Sequence, residues 1–198
     1  MVTICLLRHG ETAFNADGNK YCGRTDVGLT KKGLAQAERM CMLLRGFRFD
    51  AVYSSPLRRA KATAEIACAN PEVVMVDERL IEIDFGQWEG KRSDEFIAED
   101  PDTWDKWITD PSQYCAGKTG ENGNMILNRL RSFYQDILYK HDGQVVLVVA
   151  HNGVNRFFMA DQLGMPLKNY RRIVQDNSAL TMVTLDKTDG FKLLKLNA

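Results

Sequence analysis

The segment Arg8-His9-Gly10-Glu11-Thr12 follows directly on an apolar run from Val2 to Leu7. Such a run reads as a buried strand. A guanidinium and an imidazole therefore fall where a strand ends and the chain turns. In open α/β sheets that edge is where ligands bind. Arginine grips phosphate through a planar fork of donors. Histidine serves as a nucleophile or as an acid and base near neutral pH. The pentapeptide alone fits a surface ion pair and a satisfied loop histidine equally well, so the other candidates decide its weight.

Three further positions carry chemistry. His151 follows the apolar run Val145 to Val149 just as His9 follows the first one. Two parallel strands end at the same sheet edge, which would bring both imidazoles together. Arg58 and Arg59 sit in the first turn of a predicted helix, where the helix dipole disfavours positive charge. An arginine that breaks this rule beside helix N–H groups makes an anion site. Arg59 is assigned that role, and Arg58 is expected to reach solvent. Glu82 lies between Ile81 and Ile83. Partial desolvation there would favour a protonated carboxyl, as a general acid requires. Asp84 and Glu89 read as surface or cap residues. His141, just ahead of the turn signal Asp142-Gly143, reads as a surface residue.

The elements that would position these groups alternate strand and helix. Strands are predicted at 2–7, 51–54, 73–76, 145–149, 180–185 and 191–196. A helix over 31–45 is capped by Thr30, with Leu34, Ala37, Cys41 and Leu44 on its inner face. A second starts at Ser55-Pro56, with Ser55 as N-cap and Pro56 at its first position, and runs to about Cys68. A long helix ends near Tyr139, and another spans about 154–163 before Gly164 and Pro166. The last two strands read as a hairpin or two edge strands, antiparallel to the rest. This order implies a three-layer α/β/α sandwich, with a mostly parallel central sheet and helices on both faces. Residues 92–123 form an excursion of a short helix and loops over one sheet edge. Its Trp104, Trp107 and Tyr114 either wall a substrate or anchor the loop to the core.

Size and charge bound the partners. The 198 residues suit one domain, 1–198, that includes the excursion. Twenty-six basic residues balance 26 acidic ones, which argues against nucleic acid and for a small ligand. No apolar run is long enough to span a membrane, and the N-terminus lacks the pattern of a secretory signal. Five scattered cysteines without CxxC spacing argue against a disulfide framework or a zinc site. Cys5, Cys41 and Cys68 read as reduced core residues. These features together point to the cytoplasm.

Four segments taken together resemble the histidine phosphatase superfamily, in its phosphoglycerate-mutase-like branch. They are Leu7 to Thr12, Ser54 to Ala60, Glu82 to Gly90 and Ala150 to Val154, and Gly23 to Thr30 matches the family's loop before its first helix. The resemblance implies that His9 is the nucleophile and Glu82 the proton donor. Arg8, Arg59 and a protonated His151 would form the phosphate pocket. Asn15, Cys22 and Gly23 would make secondary contacts, the last two through their backbone. No metal or other cofactor is implied, and the partner would be a small phosphorylated metabolite. The activity implied is phosphomonoester hydrolysis through a phosphohistidine, with α-ribazole 5′-phosphate the favoured named substrate. A 2,3-bisphosphoglycerate-dependent mutase is the alternative, and a non-catalytic phospho-ligand-binding module the second. The chain has Asn152-Gly153 where relatives often have Gly-Gly, so Asn152 could donate to phosphate or to a substrate hydroxyl. It has Gly28 where a proline is usual, which would loosen that loop. The Thr119 to Gly123 stretch departs from the family's Gly-Gly-Glu-Ser, and no role is carried onto it. Substrate identity is expected to lie in the 92–123 excursion. Cys22 is expected to act through its backbone rather than as an oxidation-sensitive thiol.

Overall fold

A computed structural model describes all 198 residues. In chain order the elements are β1 (Val2–Arg8), α1 (Ala13–Ala16), α2 (Lys31–Leu43), β2 (Ala51–Ser54), α3 (Arg58–Ala67) and β3 (Val74–Val76). Next come α4 (Ser93–Glu99), α5 (Pro101–Thr109), α6 (Gly123–Lys140), β4 (Val145–Ala150), α7 (Asn152–Gln162), β5 (Leu180–Asp186) and β6 (Gly190–Lys195). The sheet runs β3-β2-β4-β1-β5-β6. Its first four strands are parallel, and β5 and β6 close it in antiparallel fashion. This is the expected α/β architecture. One apolar cluster fills the side of the sheet under α6 and α7, and a smaller one lies under α2 and α3.

β1 and β4 are buried on both faces, as their unbroken apolar runs require. β3 is a residue shorter than expected and lies at an edge, where Val73, Met75 and Val76 stay 44%, 42% and 48% exposed. No helix is long and apolar enough to cross a membrane.

Several local expectations need correction. α2 ends at Leu43, and its inner stripe is Gly33, Ala37 and Met40, continued by Leu44. Leu34 lies one position off that stripe and is 41% exposed, and Cys41 is only half-buried. Gly33 is the reason for this rotation. A Cβ there would sit 2.2 Å from the Glu11 carbonyl oxygen, so the helix presses its bare backbone against the loop after β1. α3 begins at Arg58 with Leu57 as its N-cap residue, not at Ser55-Pro56. The Ser55 hydroxyl is engaged instead with the His151 ring, at 2.7 Å. α7 begins at Asn152, two residues early, with His151 at its cap.

The excursion holds two helices rather than one. Asp100 closes α4 and then caps α5, accepting from the Thr103 N–H at 3.2 Å with Pro101 next in line. Trp107 is fully buried, and Trp88 packs against Phe96, Trp104 and Trp107 with ring centroids 4.7, 5.7 and 5.9 Å away. Tyr114 points outward, 46% exposed. The tryptophans are therefore anchors. His141 is half-buried rather than on the surface, bridging the Tyr53 hydroxyl at 2.9 Å and Gln144 at 2.7 Å. The cysteines are all free.

Candidate active site

The register of β1 against β4 pairs Arg8 with Ala150. His9 and His151 are thus the next residues of neighbouring parallel strands, and the His9 N–H donates to the Ala150 carbonyl at 3.0 Å. Their ring centroids lie 5.1 Å apart. The His9 ring places Nδ1 2.7 Å from the Gly10 carbonyl. A carbonyl only accepts, so Nδ1 carries the proton and Nε2 keeps a free lone pair. Burial first, and then the guanidiniums of Arg59 and Arg8, push the His9 pKa well below its usual value. His9 is therefore neutral, with Nε2 unprotonated, at neutral pH.

His151 differs in detail from the expectation. Its Nδ1 accepts from Arg59 Nε at 3.2 Å, so its proton sits on Nε2, facing Ser55 Oγ. Burial, Arg59 and His9, in that order, push its pKa well down. His151 is therefore neutral at neutral pH, and the positive charge expected there comes from the arginines alone.

Arg59 is fully buried in the first turn of α3. Besides His151, it donates to the carbonyls of Thr25 at 2.9 Å, Cys22 at 3.2 Å and Gly23 at 2.8 Å. It thus ties the 22–25 loop to the histidine pair. Arg58 faces solvent, as expected, and its N–H donates to Asp26. Arg8 donates from Nη1 to the Gln175 carbonyl at 2.7 Å, and its Nε is buried with no partner. Burial, opposed mainly by Glu82, brings the Arg8 pKa down to about 10, still charged at neutral pH.

Glu82 is 4% exposed and sits at the N-terminus of α7. Its carboxylate accepts from the N–H groups of Ile83 (2.9 Å), Gly153 (3.0 Å) and Val154 (3.1 Å). Gly153 permits this approach, because a Cβ there would lie 2.6 Å from Glu82 Oε1.

Two residues of this arrangement had no role in the sequence reading. Arg129 on α6 donates to the carbonyls of Arg79 (2.7 Å) and Ile81 (2.6 Å) and pairs with Glu121 at 3.0 Å. Glu121 also accepts from the Asp84 N–H at 3.0 Å and from Arg24 at 3.1 Å. Burial works against the Glu121 charge, but Arg129, the Asp84 N–H and Arg24 outweigh it and hold its pKa below the usual value. This buried pair clamps the loop that carries Glu82. Its sequence signal was an acid in the glycine-rich Gly117 to Gly123 stretch, eight residues before an arginine on the helix that follows.

A cavity of about 380 Å³ opens over these groups. Arg8, His9, Asn15, Cys22, Glu82 and Asn152 line it. Arg59 and His151 are fully buried and do not line it. Gly23 does not line the cavity, and its N–H is held by both Glu89 oxygens at 3.0 Å. Glu89 is thus a loop anchor. Asn15 spends its Oδ1 on Thr12 and Asn177, leaving Nδ2 for a ligand. Asn152 has a buried Oδ1 without a partner. Burial raises the Cys22 thiol to about 11, so it is no thiolate, and its carbonyl serves Arg59. From the excursion only Ser93 reaches the cavity. The other walls come from residues 18–21 and 170–176, so the excursion expected to identify the substrate supplies one residue to the cavity.

Known proteins resemble this chain in sequence and in fold. The family model of the histidine phosphatase superfamily (branch 1) matches residues 4–198. The chain belongs to the histidine phosphatase superfamily. Phosphoserine phosphatase 1 of Hydrogenobacter thermophilus is 32% identical to this histidine phosphatase over 198 residues, covering 100% of this chain and 92% of that protein. Adenosylcobalamin/alpha-ribazole phosphatase of Escherichia coli is 34% identical over 164 residues, 82% of this chain and 80% of that one. A mutant phosphoserine phosphatase of Entamoeba histolytica, solved with phosphoserine, superposes with a TM-score of 0.90 at 26% identity, covering 100% and 98% of the two chains.

Proposed function

We propose that this phosphatase hydrolyses a small phosphomonoester through a phosphohistidine on His9. The observation that carries the reading is the His9 ring, whose Nδ1–H is fixed on Gly10 while Nε2 stands unprotonated in a cavity shared with Arg8 and Glu82. Nε2 attacks phosphorus as the ester P–O bond breaks. With the phosphate's negative charge beside it, Glu82 carries a proton into the step and gives it to the departing oxygen. Water, losing a proton to Glu82, then cleaves the P–N bond and releases phosphate. Arg8 faces the incoming phosphate, and Arg59 adds fixed positive charge from its buried position, stabilising charge on the equatorial oxygens. Charge compensation by two arginines lets the reaction proceed without a metal. Asn15 Nδ2 and the Asn152 amide stand ready for further phosphate or hydroxyl contacts.

The substrate panel follows from the relatives and the sequence resemblance: phosphoserine, α-ribazole 5′-phosphate, 3-phosphoglycerate and sugar phosphates. Phosphate release is measured in excess EDTA, with His9→Ala beside the wild-type protein. Release that survives EDTA, vanishes in His9→Ala and passes through an acid-labile phosphoenzyme upholds the reading. Release that persists in His9→Ala, or returns only with added Mg²⁺ or Zn²⁺, refutes it.

A further inference from the structure

The cavity has a second basic end that phosphoryl transfer at His9 does not use. Arg156 stands one helical turn after Asn152 on α7, so both project from one face of that helix, and both line the cavity. Away from the cavity wall, the guanidiniums of the site are fully engaged. Arg59 binds three carbonyls and His151, and Arg129 binds Glu121 and the carbonyls ahead of Glu82. Only the two arginines Arg8 and Arg156 on the cavity wall keep a buried Nε without a partner, and Arg8 is the one that faces the phosphoryl group at His9. A buried donor left unmade is unfavourable, and so is a partly desolvated charge without a counter-charge.

Arg171 adds a second positive charge from the turn at 167–172. Its guanidinium lies 4.7 Å from the Trp104 ring centroid, and Nη1 donates to the Tyr21 hydroxyl at 2.8 Å. Those contacts hold the charge at the rim without neutralising it. The cavity's own acids do not serve the two arginines. Glu82 is bound by backbone N–H groups, and Asp176 faces Asn197 at 3.0 Å. Lys20, on the same wall, is already paired with Asp17. Gln175 fixes its Oε1 on Asn155 at 3.0 Å and leaves a buried Nε2 donor unused. The aromatic rings of the wall offer little to a stacking ligand. Tyr21 packs edge-on to Phe85 and Phe96 at 4.8 Å each, and Tyr170 lies 4.3 Å from Phe157.

We infer that the substrate carries a second anionic group, a carboxylate or another phosphate, which Arg156 and Arg171 bind while the phosphoryl group lies at His9. The inference rests on the phosphomonoesterase reading above. Arg156 and Arg171 then select the substrate and take no part in bond breaking.

Matched pairs of esters test it. They are 3-phosphoglycerate against glycerol 3-phosphate, O-phosphoserine against O-phosphoethanolamine, and fructose 1,6-bisphosphate against fructose 1-phosphate. The first two pairs differ by a carboxylate and the third by a phosphate, so they separate the two sources of charge. The wild-type kcat/KM should favour the anion-bearing member of at least one pair by about 10- to 100-fold. Arg156→Gln and Arg171→Gln should each pull that ratio toward one, chiefly through KM, and lose less on the partner without the anion. A wild-type ratio near one for all three pairs, or equal losses on both members, overturns the inference. Hydrolysis of p-nitrophenyl phosphate by wild type but not by His9→Ala tests the underlying reading separately. If that ester is not turned over, calorimetric binding of the same pairs to wild type and Arg156→Gln reads the second site alone. Anion-selective binding lost in the variant upholds the inference, and unselective binding overturns it.

Discussion

The floor and the rim of the cavity are built on opposite plans. On the floor almost every polar atom is already spoken for by the protein. His9 is held by Gly10, His151 by Arg59 and Ser55, and Glu82 by three backbone N–H groups. Only Arg8 keeps a buried donor free there. At the rim, Asn152, Arg156 and Gln175 each keep a buried polar atom unpartnered. The reacting groups are thus set before substrate arrives, which is what transition-state stabilisation requires. Recognition is completed by the ligand.

The floor can be broken outright. His9→Ala should lower kcat by about 10⁴-fold or more, since no other free ring nitrogen faces the cavity; stopped assays of phosphate release read this. Glu82→Gln should lower kcat by about 10²- to 10⁴-fold on alkyl phosphates and distinctly less on p-nitrophenyl phosphate, whose leaving group needs little protonation. Equal losses on both esters would remove Glu82 from the proton-transfer step.

The clamp beneath Glu82 gives a test of positioning. Arg129→Met leaves Glu121 with only Arg24 and the Asp84 N–H as partners and should destabilise the fold by about 1–3 kcal/mol, measured by urea unfolding. It should also narrow the activity gap between alkyl and p-nitrophenyl phosphate, as a displaced proton donor would. Arg129→Lys, which keeps the charge, should restore part of that gap. A loss of stability with the leaving-group gap intact would make the pair purely structural.

The histidine pair sets a pH dependence of stability. Both rings have folded-state pKa values depressed below 6.5. Below that pH the unfolded chain takes up protons that the native state refuses, so stability falls as pH falls. Between pH 6.5 and 5.5 the two rings together should remove roughly 2 kcal/mol, read as a drop in the urea midpoint. His151→Asn should remove about half of that slope.

The smallest effect expected lies outside both regions. Tyr114→Ala should change stability by less than about 0.5 kcal/mol and leave kcat/KM unaltered, because the side chain faces solvent away from the cavity. A marked rise in KM would return the excursion to substrate binding.

The floor was legible in the sequence because each of its groups sits at an element boundary with a strong local signal. Two apolar strands end in histidine, and an arginine stands where a helix dipole disfavours it. The same signals misplaced the start of α3. Ser55-Pro56 has the local chemistry of a helix cap, but Ser55 is drawn to a ring 96 positions along the chain. The excursion was legible in part, since its tryptophans fitted a substrate wall or an anchor and only their packing on Trp88 and Phe96 decides for the anchor. Of the rim only Asn152 was legible. Arg156 lies in the middle of a helix and Arg171 in an irregular turn, and only the folding of 167–176 over the mouth of the cavity brings them together.

The antiparallel β5 has a consequence for the timing of synthesis. β1, which ends in the reactive histidine, pairs with β4 on one side and β5 on the other, joining Leu7 to Leu180. The loop before β5 also donates from Ser178 and Asn177 to the carbonyls of Arg8 and His9. A ribosome that has released the chain only as far as α6 has therefore made His9 but neither strand that flanks it. Phosphatase activity should emerge late in translation, and an arrested nascent chain shorter than about 180 residues should stay silent while its N-terminal strand waits for partners.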